Sequence, residues 1–343
     1  MKKLEGYTKG INIGGWLSQG KEDKEHLDTF IVKSDLEKIA SWKVDHVRLP
    51  VDFNIIETPD GSALSSGCDY IDSCISWCRE FGLNMILDLH KTAGYTFDNQ
   101  KESVDFFKSQ ELQDRFITLW DRLSARYAKD SDIVIFELLN EVVDPNVADK
   151  WNEISASCIK TIRKNAPAAK IIVGGVDYNS ITMVKTLAPP ADENIIYTFH
   201  CYDPLVFTHQ AAYWVETMPL DFSIPYPADL DFYISESLRV LEDRSGFLLD
   251  KKFGFTELGT DFFEKLFKEA IEVAEERNVA LYCGEYGVID RTSPEDAVRW
   301  YKDINRIFNK YGIGRAAWTY KGLDFGLTDK HYDSVRDELV SLL

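Results

Sequence analysis

The sequence predicts an α/β fold, a closed (β/α)8 TIM barrel, from three observations. Short apolar runs that end in polar residues alternate with longer amphipathic segments, a pattern typical of parallel strands joined by helices. About eight such strand–helix units follow one another, as in a (β/α)8 barrel. The chain has 343 residues and is 45% hydrophobic, which is enough for a barrel of roughly 250 residues and one large insertion.

The first four units occupy the N-terminal half of the chain. In the second helix, Ile71, Ile75 and Cys78 fall at helical spacing on one face, and Gly82 ends that helix. The predicted strands, each with its helix, are Gly10–Trp16 with Lys33–Lys43, Asp45–Pro50 with Tyr70–Phe81, Asn84–His90 with a helix through Phe116–Leu123, and Asp132–Asn140 with Ala148–Asn165.

The regular alternation is interrupted after the sixth strand. Residues 203 to about 260 are rich in aromatic residues and proline, with a helical segment near Ile234–Leu241. Ordinary connections have roughly 2–6 residues, so we expect one domain over residues 1–343 with an inserted subdomain at about 203–260. The remaining predicted elements are Lys170–Gly175, Thr182–Leu187, Asn194–His200, Asp261–Asn278, Ala280–Glu285, Pro294–Tyr311, Gly314–Tyr320 and Ser334–Leu342.

The main alternative fold is an open doubly wound sheet that binds a dinucleotide. That fold requires a Gly-x-Gly-x-x-Gly turn between a strand and a helix, and Gly14-Gly15 lacks the third glycine. We therefore expect no cofactor. Cys74 and Cys78 have no matching Cys or His pair nearby, so the six cysteines are interpreted as free thiols rather than zinc ligands.

Charge and hydropathy limit the partners. The chain carries 39 Lys and Arg against 57 Asp and Glu, a net charge of −18, which disfavours nucleic acid and anionic membranes. No apolar run approaches the roughly 20 residues of a membrane-spanning helix, and Leu4–Lys9 supplies no apolar core of a signal peptide. We expect a cytoplasmic monomer, or an extracellular protein if the chain is a processed form.

Polar and aromatic residues stand at the ends of the predicted strands, which meet at the mouth of such a barrel. Glu141 and Glu285 follow buried strands on opposite sides of the mouth. Two carboxylates that flank a small ligand are what glycoside cleavage requires. The other candidates at strand ends are Trp16, Arg48, His90, Asn140, His200, Tyr202 and Trp318.

Alternatives remain open for several of these residues. His90 and His200 could bind a metal beside Asp88 or Asp203, but the His-x-His pair of many metal-dependent barrels is missing, so we expect no metal. Arg48 is either an ion-pair partner of a structural acid or the cation beside a catalytic carboxylate. Aromatic rings can stack on sugars, and Phe207 and Trp214 of the insertion are predicted to line a cleft.

Seven motifs lie at successive predicted strand ends: Gly-Ile-Asn-Ile-Gly-Gly-Trp16, Val-Arg48-Leu-Pro, Leu-Asp-Leu-His90, Phe-Glu-Leu-Leu-Asn140-Glu141, Phe-His200-Cys-Tyr202, Tyr-Cys-Gly-Glu285-Tyr-Gly and Ala-Ala-Trp318-Thr-Tyr. Together they resemble glycoside hydrolase family 5, the cellulase family. The long insertion after the sixth strand and the run Val-Arg-Leu-Pro-Val-Asp-Phe-Asn-Ile-Ile-Glu are similar to its clostridial endoglucanases and lichenan-cleaving members.

The resemblance implies a retaining endo-β-glucanase that cleaves β-1,4 or mixed β-1,3-1,4 bonds. Glu141 would be the acid/base and Glu285 the nucleophile, which Arg48 and Tyr202 would hold. It further implies that Asn140 binds the 2-hydroxyl of the sugar at the cleavage point. His90 would contact the same sugar, and the ring of Trp318 would form the floor of its subsite. His200 would support the acid/base residue.

The third strand departs from the family pattern. Close relatives often have Asp-x-His-His-Ala-Pro-Gly, whereas this chain has Lys91 and Ala93 in place of the second histidine and the proline. Lys91 lies where sugar specificity is often set. A mannanase, a glucomannanase and an exo-β-1,3-glucosidase of the same mechanism therefore remain alternatives. A catalytically inactive sugar-binding barrel is an alternative of a different class, which predicts the loss of one carboxylate, whereas both Glu141 and Glu285 are present.

Overall fold

A computed structural model describes residues 1–98, 106–242 and 256–343. Eight parallel strands form a closed barrel in the order β1 to β8, which confirms the predicted fold class. The strands are β1 (Lys9–Asn12), β2 (His46–Asp52), β3 (Asn84–Lys91), β4 (Val134–Glu137), β5 (Ile171–Gly174), β6 (Ile195–Cys201), β7 (Ala280–Tyr286) and β8 (Gly314–Ala317).

Helices connect the strands on the outside of the barrel. Ser293 caps the N-terminus of the helix Pro294–Tyr311, where its side chain accepts a hydrogen bond from the Asp296 amide. The helix ends at Gly312, which has the left-handed conformation. The longer helices are Lys33–Ser41, Ser65–Phe81, Gln110–Tyr127, Ala148–Asn165, Leu230–Leu241, Thr260–Glu276 and Pro294–Tyr311, with shorter α-helices at Lys24–Thr29, Phe53–Ile56, Leu205–Thr208 and Arg336–Leu342.

Strands β1, β4 and β8 are shorter than the sequence predicts. Regular pairing of β4 ends at Glu137, and beyond it the amide of Asn140 donates to the carbonyl of Leu89 at 3.1 Å. The chain after β8 behaves similarly, because the amide of Trp318 donates to the carbonyl of Tyr286 at 2.8 Å. The predicted strand ends therefore lie in irregular backbone that forms the mouth.

Two apolar clusters pack the barrel below this mouth. A large cluster fills the gap between the strands and the helices. A smaller cluster closes the bottom of the barrel interior and includes Leu4, Tyr7, Ile86, Ile135, Ile172, Ile196, Ala280, Tyr282 and Ala316. Since the interior is packed and is not a pore, side chains of functional interest are confined to the C-terminal ends of the strands.

The predicted insertion is described for residues 203–242 and 256–260, and residues 243–255 lie outside the described chain. Its helix Leu230–Leu241 starts four residues before the predicted segment because Asp229 caps it, accepting a hydrogen bond from the Phe232 amide. That helix contacts the short helix Leu205–Thr208, and the indole of Trp300 donates to the carbonyl of Asp203 at 2.9 Å.

None of the helices in the described residues is long and apolar enough to cross a lipid bilayer. The six cysteines are all buried and none is joined in a disulfide.

Candidate active site

Arg48 lies on β2 at the centre of the mouth and is completely buried. Its guanidinium donates to Glu285 Oε1 at 2.9 Å and to Glu137 Oε2 at 2.7 Å. It also donates to the side-chain oxygens of Asn12 at 3.0 Å and Asn140 at 2.9 Å. Both interpretations of Arg48 therefore hold, since it pairs with a structural acid, Glu137, and with the candidate nucleophile.

Glu285 is held through both carboxylate oxygens. It lies on β7 with 5% of its surface exposed. Arg48 donates to Oε1, and the hydroxyl of Tyr202 donates to Oε2 at 2.9 Å. Charge-assisted bonds of this kind fix the orientation of a carboxylate. This environment suits a nucleophile.

Glu141 lies just beyond β4 in an unusual backbone conformation. Its φ is +40°, a left-handed value that residues other than glycine seldom adopt. The hydroxyl of Tyr95 donates to the carbonyl of Glu141 at 2.5 Å and accepts from the amide of Val143 at 2.9 Å. Backbone strain of this kind is found at functional sites where the surroundings enforce it, and Tyr95 supplies that constraint here.

Burial raises the pKa of Glu141 to about 8. Removal from water penalises the charged carboxylate more than nearby Arg48 stabilises it. Nδ1 of His200 lies 2.7 Å from Glu141 Oε1, and burial lowers the pKa of His200 to about 4. Near neutral pH the pair therefore consists of an uncharged carboxyl and an uncharged imidazole, which suits a proton donor.

The two glutamates are close together. One oxygen of Glu141, one oxygen of Glu285 and a ring nitrogen of His200 lie within 4.8 Å of one another. Retaining glycosidases place their carboxyl groups roughly 5–5.5 Å apart, whereas inverting enzymes separate them by roughly 6.5–9.5 Å. The separation fits double displacement. The same three atoms could also hold a divalent cation.

His90, Trp318 and Asn140 surround the space beside the carboxylates. The rings of His90 and Trp318 are stacked, with centroids 5.9 Å apart and an interplanar angle of 4°. The side-chain oxygen of Asn140 accepts from Arg48, while its buried amide nitrogen has no hydrogen-bond partner within the described chain. A buried donor without a partner is costly, so a sugar hydroxyl is a fitting acceptor for it.

Two aromatic residues with predicted sugar contacts lie elsewhere. Trp16 is 1% exposed, its indole donates to the carbonyl of Leu27 at 2.8 Å, and it stacks on Trp77. Phe207 is fully buried and packs against Tyr226. These corrections have one cause: an aromatic residue at a strand end or in an insertion can face the core, and the sequence does not specify which side it faces.

Trp214 remains available at the surface. Its side chain is 43% exposed and meets the ring of Tyr213 edge to face at 4.8 Å. His209 connects it to the site, because the His209 ring lies 6.0 Å from Trp214 and 5.1 Å from Tyr202. His209 therefore lies between Trp214 and Tyr202, the residue that holds Glu285, and Trp214 is on the β6 side of the mouth.

Lys91 lies at the opposite side of the mouth, at the end of β3. Its ammonium nitrogen is 2.5 Å from Asp98 and 3.8 Å from Asp52, and it lies over the ring of Phe97. Phe97 in turn meets His90 edge to face at 5.0 Å. Lys91 is thus ion-paired, and the ring of Phe97 lies between its ammonium group and His90.

Three polar residues of the site were not predicted to take part. Asp88 and Glu137 are completely buried and contact Arg48, and Asn12 bridges Arg48 to the carbonyl of Gly284. Asp88 and Glu137 are acids within the otherwise apolar strand sequences Met85–Leu89 and Val134–Leu138. A charged residue in a strand that is buried on both faces requires a partner, and that signal was available in the sequence.

A family model described as cellulase (glycosyl hydrolase family 5) matches residues 10–324. The chain belongs to glycoside hydrolase family 5. This confirms the resemblance drawn from the seven motifs, and as a family member the protein is a glycoside hydrolase. Its fold and the paired glutamates are those of an enzyme that uses the retaining mechanism general to family 5.

Similar proteins cover the whole length of this family 5 chain. It is 42% identical to cellodextrinase A of Ruminococcus flavefaciens over 344 residues, covering 100% of this chain and 94% of the relative. It is 38% identical to endoglucanase C of Acetivibrio thermocellus over 341 residues, covering 98% of each. The structure of Thermotoga maritima Cel5A with cellobiose superimposes with a TM-score of 0.74 at 23% identity, covering 98% of this chain and 97% of that one, which shows a shared fold.

Proposed function

We propose that this family 5 enzyme is an endo-acting β-glucanase that hydrolyses β-1,4 or mixed β-1,3-1,4 glucosidic bonds. The observation that carries the proposal is the pair Glu141 and Glu285, whose oxygens lie within 4.8 Å in contrasting environments. Glu285 accepts from Arg48 and Tyr202, whereas burial raises the pKa of Glu141 to about 8. One carboxylate is thus suited to attack and the other to proton donation.

In the first step, an oxygen of Glu285 attacks the anomeric carbon and the bond to the leaving oxygen breaks. Glu141 gives its proton to that oxygen, which departs as the hydroxyl of the leaving sugar, and a glycosyl ester on Glu285 remains. The unpartnered amide of Asn140 is placed to donate to the sugar while positive charge develops.

In the second step, Glu141 is a carboxylate and accepts a proton from water. The water oxygen attacks the anomeric carbon, the ester bond breaks, and Glu285 returns to its ionised form. Two inversions at the same carbon give net retention. Glu141 is protonated again, so the cycle closes without a cofactor.

The line from Glu141, just beyond β4, to Glu285 on β7 divides the mouth of the barrel into two sides. Trp318, His90 and Lys91 lie on the side of β8 and β3, where we place the sugar that undergoes attack. Trp214 lies on the β6 side, where we place the leaving part of the chain. Binding on both sides of the carboxylates favours cleavage within a polymer, and an exposed indole provides a face for a pyranose ring.

Relatives support a glucan substrate. The names of the similar proteins include a cellodextrinase and several endoglucanases, and one solved structure contains cellobiose. More distant relatives over 43% of the chain are named probable glucan 1,3-β-glucosidases. The proposed substrate class is tested by incubating the enzyme with barley β-glucan, carboxymethylcellulose, laminarin and glucomannan and measuring the size of the products.

Long fragments released early from barley β-glucan or carboxymethylcellulose are the expected products. Glucose released singly from laminarin would instead indicate an exo-β-1,3-glucosidase, and preference for glucomannan would indicate the mannan-cleaving alternative. Absence of any product from all four substrates, with sugar binding retained, would indicate an inactive sugar-binding barrel.

Glu285→Ala tests the nucleophile. The variant is expected to lose turnover of every glycoside, and azide is expected to restore part of it on an activated substrate with inverted product configuration, because azide then attacks directly. Unchanged activity would contradict the role of Glu285.

Chelation by EDTA tests whether the protein is instead a metal-dependent barrel hydrolase. A fall in activity that Zn²⁺ or another divalent ion restores would assign Glu141, His200 and Glu285 to a metal site.

We further propose that the enzyme acts as a monomer. Arg48, Glu141, Tyr202 and Glu285 come from a single chain and contact one another directly or through His200, so the site needs no residue from a second copy. Size-exclusion chromatography with light scattering measures the mass against the 39.3 kDa of one chain. Activity confined to a dimer fraction would contradict the proposal.

A further inference from the structure

Three buried carboxylates surround the single guanidinium of Arg48. Asp88, Glu137 and Glu285 each lie within 3.0 Å of one of its nitrogens, and the side chains of Arg48, Asp88 and Glu137 are completely shielded from solvent. Asp88 and Glu137 are paired in register across β3 and β4. With all three acids ionised the group would carry a net charge of −2 in a medium that penalises unpaired charge strongly. One of the three is therefore expected to hold a proton.

The hydrogen bonds of Arg48 identify which acid this is. A guanidinium has five N–H groups. Two are donated to Glu137, one to Glu285, and two to the amide oxygens of Asn12 and Asn140.

All five N–H groups are thus used, and no N–H is directed to Asp88, although its Oδ2 lies 3.0 Å from Nη2. Glu137 receives two charge-assisted bonds, and Glu285 receives one from Arg48 and one from Tyr202. Asp88 is the acid whose charge is least compensated.

The remaining contacts of Asp88 lead to the same assignment. Oδ2 lies 2.6 Å from Nδ1 of His90, and Oδ1 is buried with no hydrogen-bond partner in the described part of the chain. An ionised carboxylate would leave that oxygen uncompensated at high cost. Burial also raises the pKa of Asp88 to about 7 and lowers the pKa of His90 to about 3.

We infer that Asp88 is the protonated carboxyl of this group and that its O–H donates to Nδ1 of His90. Nδ1 then accepts, so the proton of the neutral imidazole is on Nε2, at the opposite edge of the ring. Asp88 is thereby a positioning residue: it makes His90 a hydrogen-bond donor beside Trp318. That this donor meets a sugar rests on the proposed function, whereas the tautomer itself does not.

Proton balance distinguishes two states of the pair. Loss of one proton from Nε2 to solvent, with transfer of the Asp88 proton to Nδ1, leaves Asp88 ionised and Nε2 an acceptor. The charged groups that face the pair oppose one another: Glu137, Glu285 and Asp52 favour the protonated state, whereas Arg48 and Lys91 favour proton loss. Because burial raises the pKa of Asp88 to about 7, the state in which Asp88 is protonated and Nε2 of His90 is a donor predominates below about pH 7.

Imidazole ¹⁵N NMR on histidine-labelled enzyme tests the inference directly. The chain has six histidines, and the signals of His90 are identified by their loss in His90→Gln. At pH 6 we expect Nε2 protonated and Nδ1 unprotonated, with the opposite tautomer appearing above pH 7. A proton on Nδ1 at pH 6 would overturn the inference, whether or not the enzyme cleaves glucan.

A matched pair of variants gives a kinetic test. Asp88→Asn keeps a neutral donor to Nδ1, so its loss of kcat/KM at pH 6 should be at least about tenfold smaller than the loss in Glu137→Gln. Glu137→Gln removes an ionised partner of Arg48 at similar depth, so kcat/KM should fall by at least about 100-fold. An equally large fall in a folded Asp88→Asn variant would contradict the inference, and NMR on the wild type decides the matter if either variant fails to fold.

Discussion

Replacement of the proton donor should affect substrates according to their leaving groups. Glu141→Ala removes general acid catalysis, which contributes about 10²–10⁴-fold to a rate. We expect that loss in kcat/KM for β-glucan, whose leaving group is a sugar alkoxide that must be protonated. A dinitrophenyl cellobioside releases a stable phenolate without a proton, so its cleavage to the glycosyl ester should change by less than about tenfold.

The raised pKa of Glu141 sets the pH range of this effect. With a pKa of about 8, the carboxyl is about 99% protonated at pH 6 and about 10% protonated at pH 9. The activity of the wild type on β-glucan should therefore fall as the pH rises through 8, because the ionised form has no proton to give. His200 has a pKa of about 4 and does not contribute to that decline.

Steady-state kinetics of both substrates between pH 5 and pH 9.5 measures these differences. In Glu141→Ala the decline near pH 8 should disappear, and azide should accelerate turnover of the dinitrophenyl substrate with retained configuration, since it replaces water in the second step. Glu153→Ala is a suitable control because the Glu153 side chain is 71% exposed on a surface helix. The reasoning is refuted if both substrates lose the same factor, or if the variant keeps a decline near pH 8.

Three further changes test the site and the fold. Tyr202→Phe removes one hydrogen bond to Glu285 and should lower kcat/KM by about 10–100-fold, with little change in the melting temperature; an unchanged kcat/KM would show that Arg48 alone holds the nucleophile. Trp214→Ala should raise KM for polymeric β-glucan by about tenfold and leave dinitrophenyl cellobioside unaffected, and equal effects on both would place Trp214 outside the leaving-group side. Glu57→Gln removes the 2% exposed carboxylate that two arginines share and should lower the free energy of unfolding by about 3 kcal/mol, as measured by urea denaturation; a loss below about 0.5 kcal/mol would contradict that estimate.

Sequence patterns predicted the helices and the strand order well because their signals are local. The helices Ala148–Asn165 and Pro294–Tyr311 have the predicted bounds, and the second has a Ser cap, Pro in the first turn and a glycine stop. Strand ends were less accurate. The residues after β4 and β8 leave the sheet to form the mouth, and nothing local distinguishes them from a continuing strand.

The site was predictable where a residue type at a strand end limits its chemistry, as for Glu141 and Glu285. It was not predictable for Trp16 and Phe207, because the sequence does not show whether such a ring faces the core or the mouth. It was also not predictable where the role of a residue depends on a partner from another strand. Asp88 is an example of the latter: its place in an apolar strand marks it as a buried acid that needs a partner, but its protonation depends on how Arg48 distributes its N–H groups. That distribution depends on how the strands are arranged in space, and no periodic pattern in the sequence indicates it.

The sharing of one guanidinium also has an evolutionary consequence. Asn12 comes from β1, Glu137 and Asn140 come from β4 and the chain just beyond it, and Glu285 comes from β7, yet each accepts a hydrogen bond from Arg48. Substitutions at residues with a common partner are not additive, so a change tolerated at one of these positions depends on the residues present at the others. Epistasis of this kind predicts that the residues around Arg48 change together, whereas an exposed residue such as Trp214, which does not share that partner, can be replaced independently of them.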